Sequence, residues 1–449
     1  MNRIIIGGTH SGCGKTTVTC AVLQALFNRR MRVASFKCGP DYIDPMFHEK
    51  IIGTNAHNLD SFFCDDNTLK YLLTENSRNA DISVIEGVMG FYDGVNGRGS
   101  ANSVSEITDT KAVVVIDCKG QSQSIGAVMK GFLTYRKNNI IGFIFNRLPE
   151  KLVPMVRELC EDLNTQYLGF MPTNKITVQS RHLGLVTADE IDDIKEKMQA
   201  LADLAEKHIL LDRIIEISES EEFTFTPLEI KKYDFKRPPV IAVARDKAFC
   251  FLYADNVRLL RKMGCEIRYF SPLTDSEIPE ADGLILCGGY PELYARQLSE
   301  NKSMLEDVKR KISSGMPTIA ECGGFMYLHN ELEDKSGKVF TMAGVINGKV
   351  FKTERLQRFG YVTMTAEKKN LLCGKGENFP AHEFHYWDST GCGSDFTARK
   401  ADGREWKCVH SDENLYAGFP HLYFYSDIKM AEKFVLKCAE YGEIYEQNL

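Results

Sequence analysis

The chain lacks any apolar run of the length a membrane span requires, and its first residues enter a strand pattern rather than a signal peptide. It also lacks an excess of basic charge. A net charge of -6 offers no electrostatic footprint for nucleic acid or for an anionic membrane. None of its 14 cysteines is followed by another within three residues, which leaves no zinc knuckle, and 449 residues is too long for a disulfide scaffold. Reduced thiols in the cytoplasm, mostly buried as small hydrophobes, are the expectation. There is no internal repeat and no long low-complexity tract. The remaining composition, 43% hydrophobic and 26% charged, is that of a soluble globular protein. Its length allows roughly two to four domains.

The first informative stretch is GGTHSGCGKTT, residues 7–17. It follows an apolar strand pattern over residues 3–6 and opens a helical pattern that continues to Arg29. That strand, glycine-rich turn and helix order points backbone N–H groups and a helix N-terminus at an anion. Gly12, Gly14, Lys15, Thr16 and Thr17 make the second half of a Walker A loop. Lys15 would reach the β and γ phosphates of ATP, and the Thr16 hydroxyl would bind Mg²⁺. Thr9 occupies the place of the motif's first glycine, so the loop is a variant.

A second strand pattern over residues 32–36 runs into FKCGPDYIDPMFH, residues 36–48. Its two prolines and a glycine predict an ordered loop rather than a helix, with Lys37, Asp41 and Asp44 beside the P-loop. The next strand, residues 81–85, ends in Glu86, which sits at the Walker B position and is a metal ligand candidate together with Thr16 and Asp44. Asp93 in the turn GVMGFYDG reads equally as a turn aspartate or as a contact to metal or acceptor. Lys37 and Asp41 are assigned to acceptor or phosphate handling. Strand patterns at 112–116 and 141–145 flank a helix near 123–137, continuing a parallel α/β sheet. Asn146 could read a nucleobase edge or simply cap a turn. Arg181 and His182 in SRHLGL read equally as carboxylate binders or as exposed loop residues.

Residues 218–239 turn acidic and irregular and read as an interdomain linker or a crossing edge segment, which sets domains at 1–217 and 240–449. Beyond it, VIAVA, CEIRYF and GLILC begin a second α/β pattern. PTIAECGGFMYL, residues 317–328, then delivers Cys322 to a sharp turn, with Ala320 two residues before it and Gly324 two after. This is the pattern of a nucleophile elbow, and the helix that follows is expected to lower the thiol pKa. Backbone N–H groups around Gly289 and Gly323 are candidate oxyanion donors, and His421 is the candidate base. HEFHYW, residues 382–387, alternates like a strand and lines a pocket or interface rather than a metal site.

An ATP-cradling domain and a thiol elbow in one chain suggest a glutamine-dependent amide ligase. The motifs GTHSGCGKTT, FKCGPDYIDPMFH, VIEGVMGFYDG, SRHLGL, LCGGYPELYA, AECGGFMYL, RFGYVTM, HEFHYW and HLYF, in order over nearly the whole chain, resemble those of the cobyrinic acid a,c-diamide synthases. The resemblance implies a dethiobiotin synthetase-like P-loop domain and a class I glutamine amidotransferase-like domain. It further implies Mg²⁺ and ATP, glutamine or ammonia as nitrogen donor, a corrinoid acid as acceptor, and a homodimer. In ordinary triad amidotransferases a glutamate lies two residues beyond the histidine, a place held here by Tyr423, so what orients His421 is open. Hydrogenobyrinic acid and nickel sirohydrochlorin present the same carboxylates and remain alternative acceptors. FKCGPDYIDP argues against cobyric acid synthase. A partitioning-type ATPase switch leaves the Cys322 elbow without a purpose, and His10 stands where those ATPases carry their signature lysine.

Overall fold

The computed structural model describes residues 1–173, 176 and 194–447. They form two compact units, Met1–Leu228 and Glu229–Leu449. Arg181 and His182 lie outside the described residues. No described helix is long and apolar enough to cross a membrane.

The first unit alternates strands and helices in chain order: β1 (Arg3–Gly8), α1 (Lys15–Asn28), β2 (Val33–Cys38), α2 (Ile43–Phe47), β3 (Asn55–Leu59), α3 (Asp66–Ser77) and β4 (Ile82–Glu86). It continues with α4 (Ala101–Ile107), β5 (Ala112–Asp117), α5 (Ser124–Thr134), β6 (Ile140–Asn146), α6 (Val153–Asp162), β7 (Gln166–Met171), α7 (Ile194–His208) and α8 (Leu211–Ser218). The strands make one sheet in the order β3-β2-β4-β1-β5-β6-β7. Every pairing is parallel. The short apolar runs IIIGG and AVVVID are buried on both faces, as central parallel strands must be. Helices α1 and α7 contribute to a core in which Val18, Val22, Leu26, Met198, Leu201 and Ala205 pack against Ile4, Ile6 and Val84.

The stretch expected to be a loop at 36–48 is not one. Lys37 belongs to β2, and Asp44 lies in α2. Pro45 is the third residue of that helix, where a missing N–H has no intrahelical acceptor to lose, so proline did not forbid the turn. Residues 219–239 carry no regular element, but they are held in place. Asn67 exchanges side-chain hydrogen bonds with the Thr226 backbone at 2.9 and 2.7 Å, and the Arg3 guanidinium lies over the Phe223 ring. In the second unit the Tyr233 N–H reaches the Met263 carbonyl at 3.3 Å.

The second unit opens with β8 (Val240–Ala244), β9 (Phe249–Phe251), α9 (Ala254–Lys262), β10 (Glu266–Phe270), β11 (Gly283–Leu286) and β12 (Gly288–Gly289). Next come α10 (Ala295–Glu300), α11 (Lys302–Ser313), β13 (Thr318–Glu321), α12 (Gly323–Tyr327), β14 (His329–Glu333), β15 (Val339–Thr341), β16 (Ile346–Ala366) and β17 (Asn378–Ser389). It closes with β18 (Phe396–Arg399), β19 (Glu405–Cys408), β20 (His410–Ser411), β21 (Leu415–Gly418) and α13 (Ile428–Gln447). A six-stranded sheet in the order β10-β8-β11-β13-β21-β20 carries the elbow at the carboxyl end of β13. A separate sheet is organised on the long β16, which pairs antiparallel with β17. All fourteen cysteines are free, and twelve of them are buried.

Candidate functional site

In the first unit, α1 begins at Lys15 behind Gly14, whose left-handed backbone supplies no side-chain cap to the helix. The first-turn N–H groups are therefore available to an anion. Gly14 has a second reason to be glycine: a Cβ there would fall 1.9 Å from the Asn146 amide nitrogen. That amide donates to the Cys13 carbonyl at 2.9 Å. Asn146 thus pins the phosphate loop from β6.

The charged centre gathers around Glu86, which is fully buried at the end of β4. Its Oε1 accepts from the Thr16 hydroxyl at 2.6 Å, from Lys37 Nζ at 3.0 Å and from Lys15 Nζ at 3.3 Å. His48 Nε2 stands 3.4 Å from the other oxygen. Lys37 also pairs with Asp44 at 2.5 Å. Two lysines and two carboxylates therefore compensate one another out of water, which makes the cluster tolerable there. Burial works to raise the Glu86 carboxyl, but Lys37, Lys15 and His48 together hold it well below the usual carboxylate range. Burial, then Lys37, lowers Lys15. With Thr16, Asp44 and Glu86 the cluster presents the hard oxygens that Mg²⁺ takes. Among the described residues no group of three or more His, Cys, Asp or Glu is arranged to hold a metal ion.

Asp41 and Asp93 have local partners. The Asp41 carboxylate accepts the Ile43 N–H at 2.9 Å, at the start of α2, and the Asp93 carboxylate accepts the Gly90 N–H at 2.8 Å. For Asp93 this is the turn geometry. Three residues escaped the sequence reading. His48 joins Glu86, Asn58 donates to the Gly39 and Asp41 carbonyls, and Arg147 pairs with Asp117 while reaching the Gly12 carbonyl at 3.4 Å.

In the second unit, β13 delivers Cys322 to φ 45° and ψ -100°, a strained conformation for a residue with a Cβ, and α12 follows at once. The Cys322 N–H bonds the Gly418 carbonyl at 2.8 Å. A Cβ on Gly324 would come within 2.0 Å of the Leu286 carbonyl oxygen, and one on Gly323 within 2.8 Å of the Gly289 nitrogen. Only glycine permits these approaches, and they bring the two expected oxyanion segments side by side.

The expected drop in thiol pKa does not occur. Burial pushes the Cys322 thiol well up, and the neighbouring Glu292 and Glu383 carboxylates add to the effect. The resting thiol therefore keeps its proton and needs a base. His421 lies three residues past β21, with its N–H on the His382 carbonyl at 2.9 Å. Its Cε1 is packed so closely on Gly288 that a Cβ there would lie 2.6 Å away. The HEFHYW segment, in β17, braces this loop. His385 Nε2 is 3.0 Å from Glu383, its Nδ1–H donates to the Trp387 carbonyl, and its ring stacks on Phe419 at 3.8 Å. Burial, then His421, pushes His382 down to about 3, so that ring is neutral.

Glu292 offers a stability test. Burial raises its carboxyl to about 7 from the ordinary 4.5. The folded protein keeps that proton where the unfolded chain has released it. The fold therefore suffers no penalty below pH 4.5, an increasing one as pH rises to about 7, and the full penalty above. Glu292→Gln is expected to stabilise the protein relative to its parent by up to about 3 kcal/mol at pH 8 and by little at pH 5, read by urea unfolding. An offset that does not change with pH would refute it.

Comparison with known proteins agrees with both units. Residues 4–185 match the CobQ/CobB/MinD/ParA nucleotide binding domain family, and residues 240–428 match the CobB/CobQ-like glutamine amidotransferase domain family. The cobyrinate a,c-diamide synthase of Fusobacterium nucleatum is 39% identical over 96% of this chain and 100% of its own length. That of Listeria innocua is 39% identical over 95% and 97%, and that of Thermoplasma volcanium 36% identical over 98% of both. An ATP-binding P-loop unit and a thiol-elbow unit, alike to these enzymes from end to end, identify the chain as a member of the cobyrinate a,c-diamide synthase family of glutamine-dependent amidoligases.

Proposed function

We propose that this protein amidates the a and c acetate carboxylates of cobyrinic acid, drawing nitrogen from glutamine and activating each carboxylate with ATP. The observation that carries the reading is the end-to-end likeness to cobyrinate a,c-diamide synthases in a chain with both a Glu86-centred P-loop and a Cys322 elbow.

At the first site the corrinoid carboxylate oxygen attacks the γ-phosphorus of ATP, giving an acyl phosphate and ADP. Gly12, Gly14 and Thr17 shape the phosphate loop. Lys15 leaves Glu86 for the β and γ phosphates. Thr16, Glu86 and Asp44 are the residues that would hold Mg²⁺, which would supply charge neutralisation at the phosphates. Lys37 holds Glu86 and Asp44 in place, and Asp41 and Asp93 shape the turns around the acceptor.

At the second site His421 takes the Cys322 proton, and the sulfur attacks the glutamine side-chain carbonyl. The developing oxyanion lies toward the backbone N–H groups of Gly289 and Gly323. Ammonia leaves with a proton returned by His421, and water hydrolyses the thioester to glutamate. The ammonia then displaces phosphate from the acyl phosphate, forming the amide.

The test is mass spectrometry of products from protein supplied with Mg²⁺, ATP and glutamine plus, separately, cobyrinic acid, hydrogenobyrinic acid or nickel sirohydrochlorin. Two successive amidations, fastest with cobyrinic acid, are expected. Glutamine hydrolysis with no macrocycle amidated would remove the acceptor assignment.

A further inference from the structure

The strand that leads into Cys322 reads TIAE, and all four residues are buried. A carboxylate at the end of so apolar a strand is costly unless something meets it. Glu321 pairs in register with Gly418 on β21, and the chain leaving Gly418 returns over it. His421 Nδ1 comes to 3.5 Å from Glu321 Oε2. Both side chains are buried.

The rest of the loop is fixed independently. Asn256 donates to the Leu422 carbonyl and accepts the Phe424 N–H, both at 2.8 Å. Tyr423, two residues past the histidine, turns its hydroxyl to Asp255 at 3.2 Å and its ring edge to Tyr253. It cannot serve His421 from there.

We propose that Glu321 is the positioning residue for His421, holding the imidazole by its Nδ1–H so that the lone pair lies on Nε2. The argument is one of hydrogen-bond chemistry. A carboxylate can only accept, so the nitrogen facing it must carry the proton, and the opposite nitrogen is then the base. The group that orients the base is thus the residue immediately before the nucleophile, on the strand that also sets the elbow. One side chain therefore couples the placement of Cys322 to the tautomer of His421. Burial raises the Glu321 carboxyl above its ordinary value, and His421 and the Leu422 amide offset only part of that.

The proposal rests on the reading of Cys322 and His421 as the glutaminase pair, and its test separates the two. In the full-length protein, Glu321→Gln and Glu321→Ala are compared for glutamine hydrolysis and for ammonia-driven amidation. The glutaminase kcat is expected to fall about 10-fold to 100-fold with KM within about twofold, while the ammonia-driven rate is unchanged. The second readout needs no turnover. With ¹⁵N-histidine, and His421→Asn to assign the signal among the ten histidines, His421 is expected as the Nδ1–H tautomer in the parent and as a mixture in Glu321→Ala. An unchanged tautomer in Glu321→Ala overturns the proposal, even if kcat falls, because the loss would then be structural. An unchanged kcat overturns it as well. If the parent shows no Cys322-dependent hydrolysis, the glutaminase reading fails, and the tautomer still decides what Glu321 does.

Discussion

Replacing Cys322 with alanine is expected to cut glutamine-driven amide formation by at least about 1,000-fold and to leave ammonia-driven formation within about twofold. The reasoning starts from the thiol's surroundings. Cys322 is buried, its thiol is held protonated, and it sits in a backbone conformation forced by the close approach of Gly323 and Gly324 to neighbouring strands. Alanine occupies the same φ at the same cost, so the elbow and its backbone N–H groups persist while the nucleophile is gone. The P-loop unit has a core of its own, with Val18, Leu26 and Leu201 packed on Ile4 and Ile6. Amide production at saturating glutamine and at saturating ammonium chloride above pH 8 measures both rates. Loss of both in a folded variant would sink the two-site scheme.

Replacing Lys15 with alanine is expected to have the complementary outcome. Amide formation should fall at least about 100-fold with either nitrogen donor, while Cys322-dependent hydrolysis of glutamine continues. Lys15 now rests 3.3 Å from Glu86, a contact that phosphate would replace with a stronger one. Its removal does not strand Glu86, because Lys37 stays within 3.0 Å of the same oxygen, so the fold is expected to survive. Thermal unfolding within a few degrees of the parent, together with the donor-independent loss, is the result to look for. Full ammonia-driven activity would take Lys15 out of phosphate binding.

The two substitutions also fall where neighbours in the chain carry the reading. Gly12, Gly14, Lys15 and Thr16 lie within one short turn, and the need of a phosphate for N–H groups and a cation is met by neighbours in the chain. The elbow around Cys322 is legible for the same reason, since Ala320 and Gly324 are its own neighbours. The inference from Pro45 failed because proline excludes a helix interior, not a helix start, and only the position of Ile43 as the first helical residue separates the cases. The thiol pKa was misjudged because burial and the Glu292 and Glu383 carboxylates are contributed by distant parts of the chain.

Strand and helix periodicity, the phosphate turn and the nucleophile turn follow from residues a few positions apart, and so are written into the order of amino acids. The partners of the buried charges are not. Thr16 meets Glu86 across 70 residues, Asn146 reaches the P-loop across 133, and Glu321 finds His421 only because β13 and β21 pair in one register. No local preference sets those meetings. They are selected when the chain leaves water, because a buried carboxylate, lysine or imidazole without a partner costs more than the sheet can absorb, and the register that supplies the partner is the one that survives.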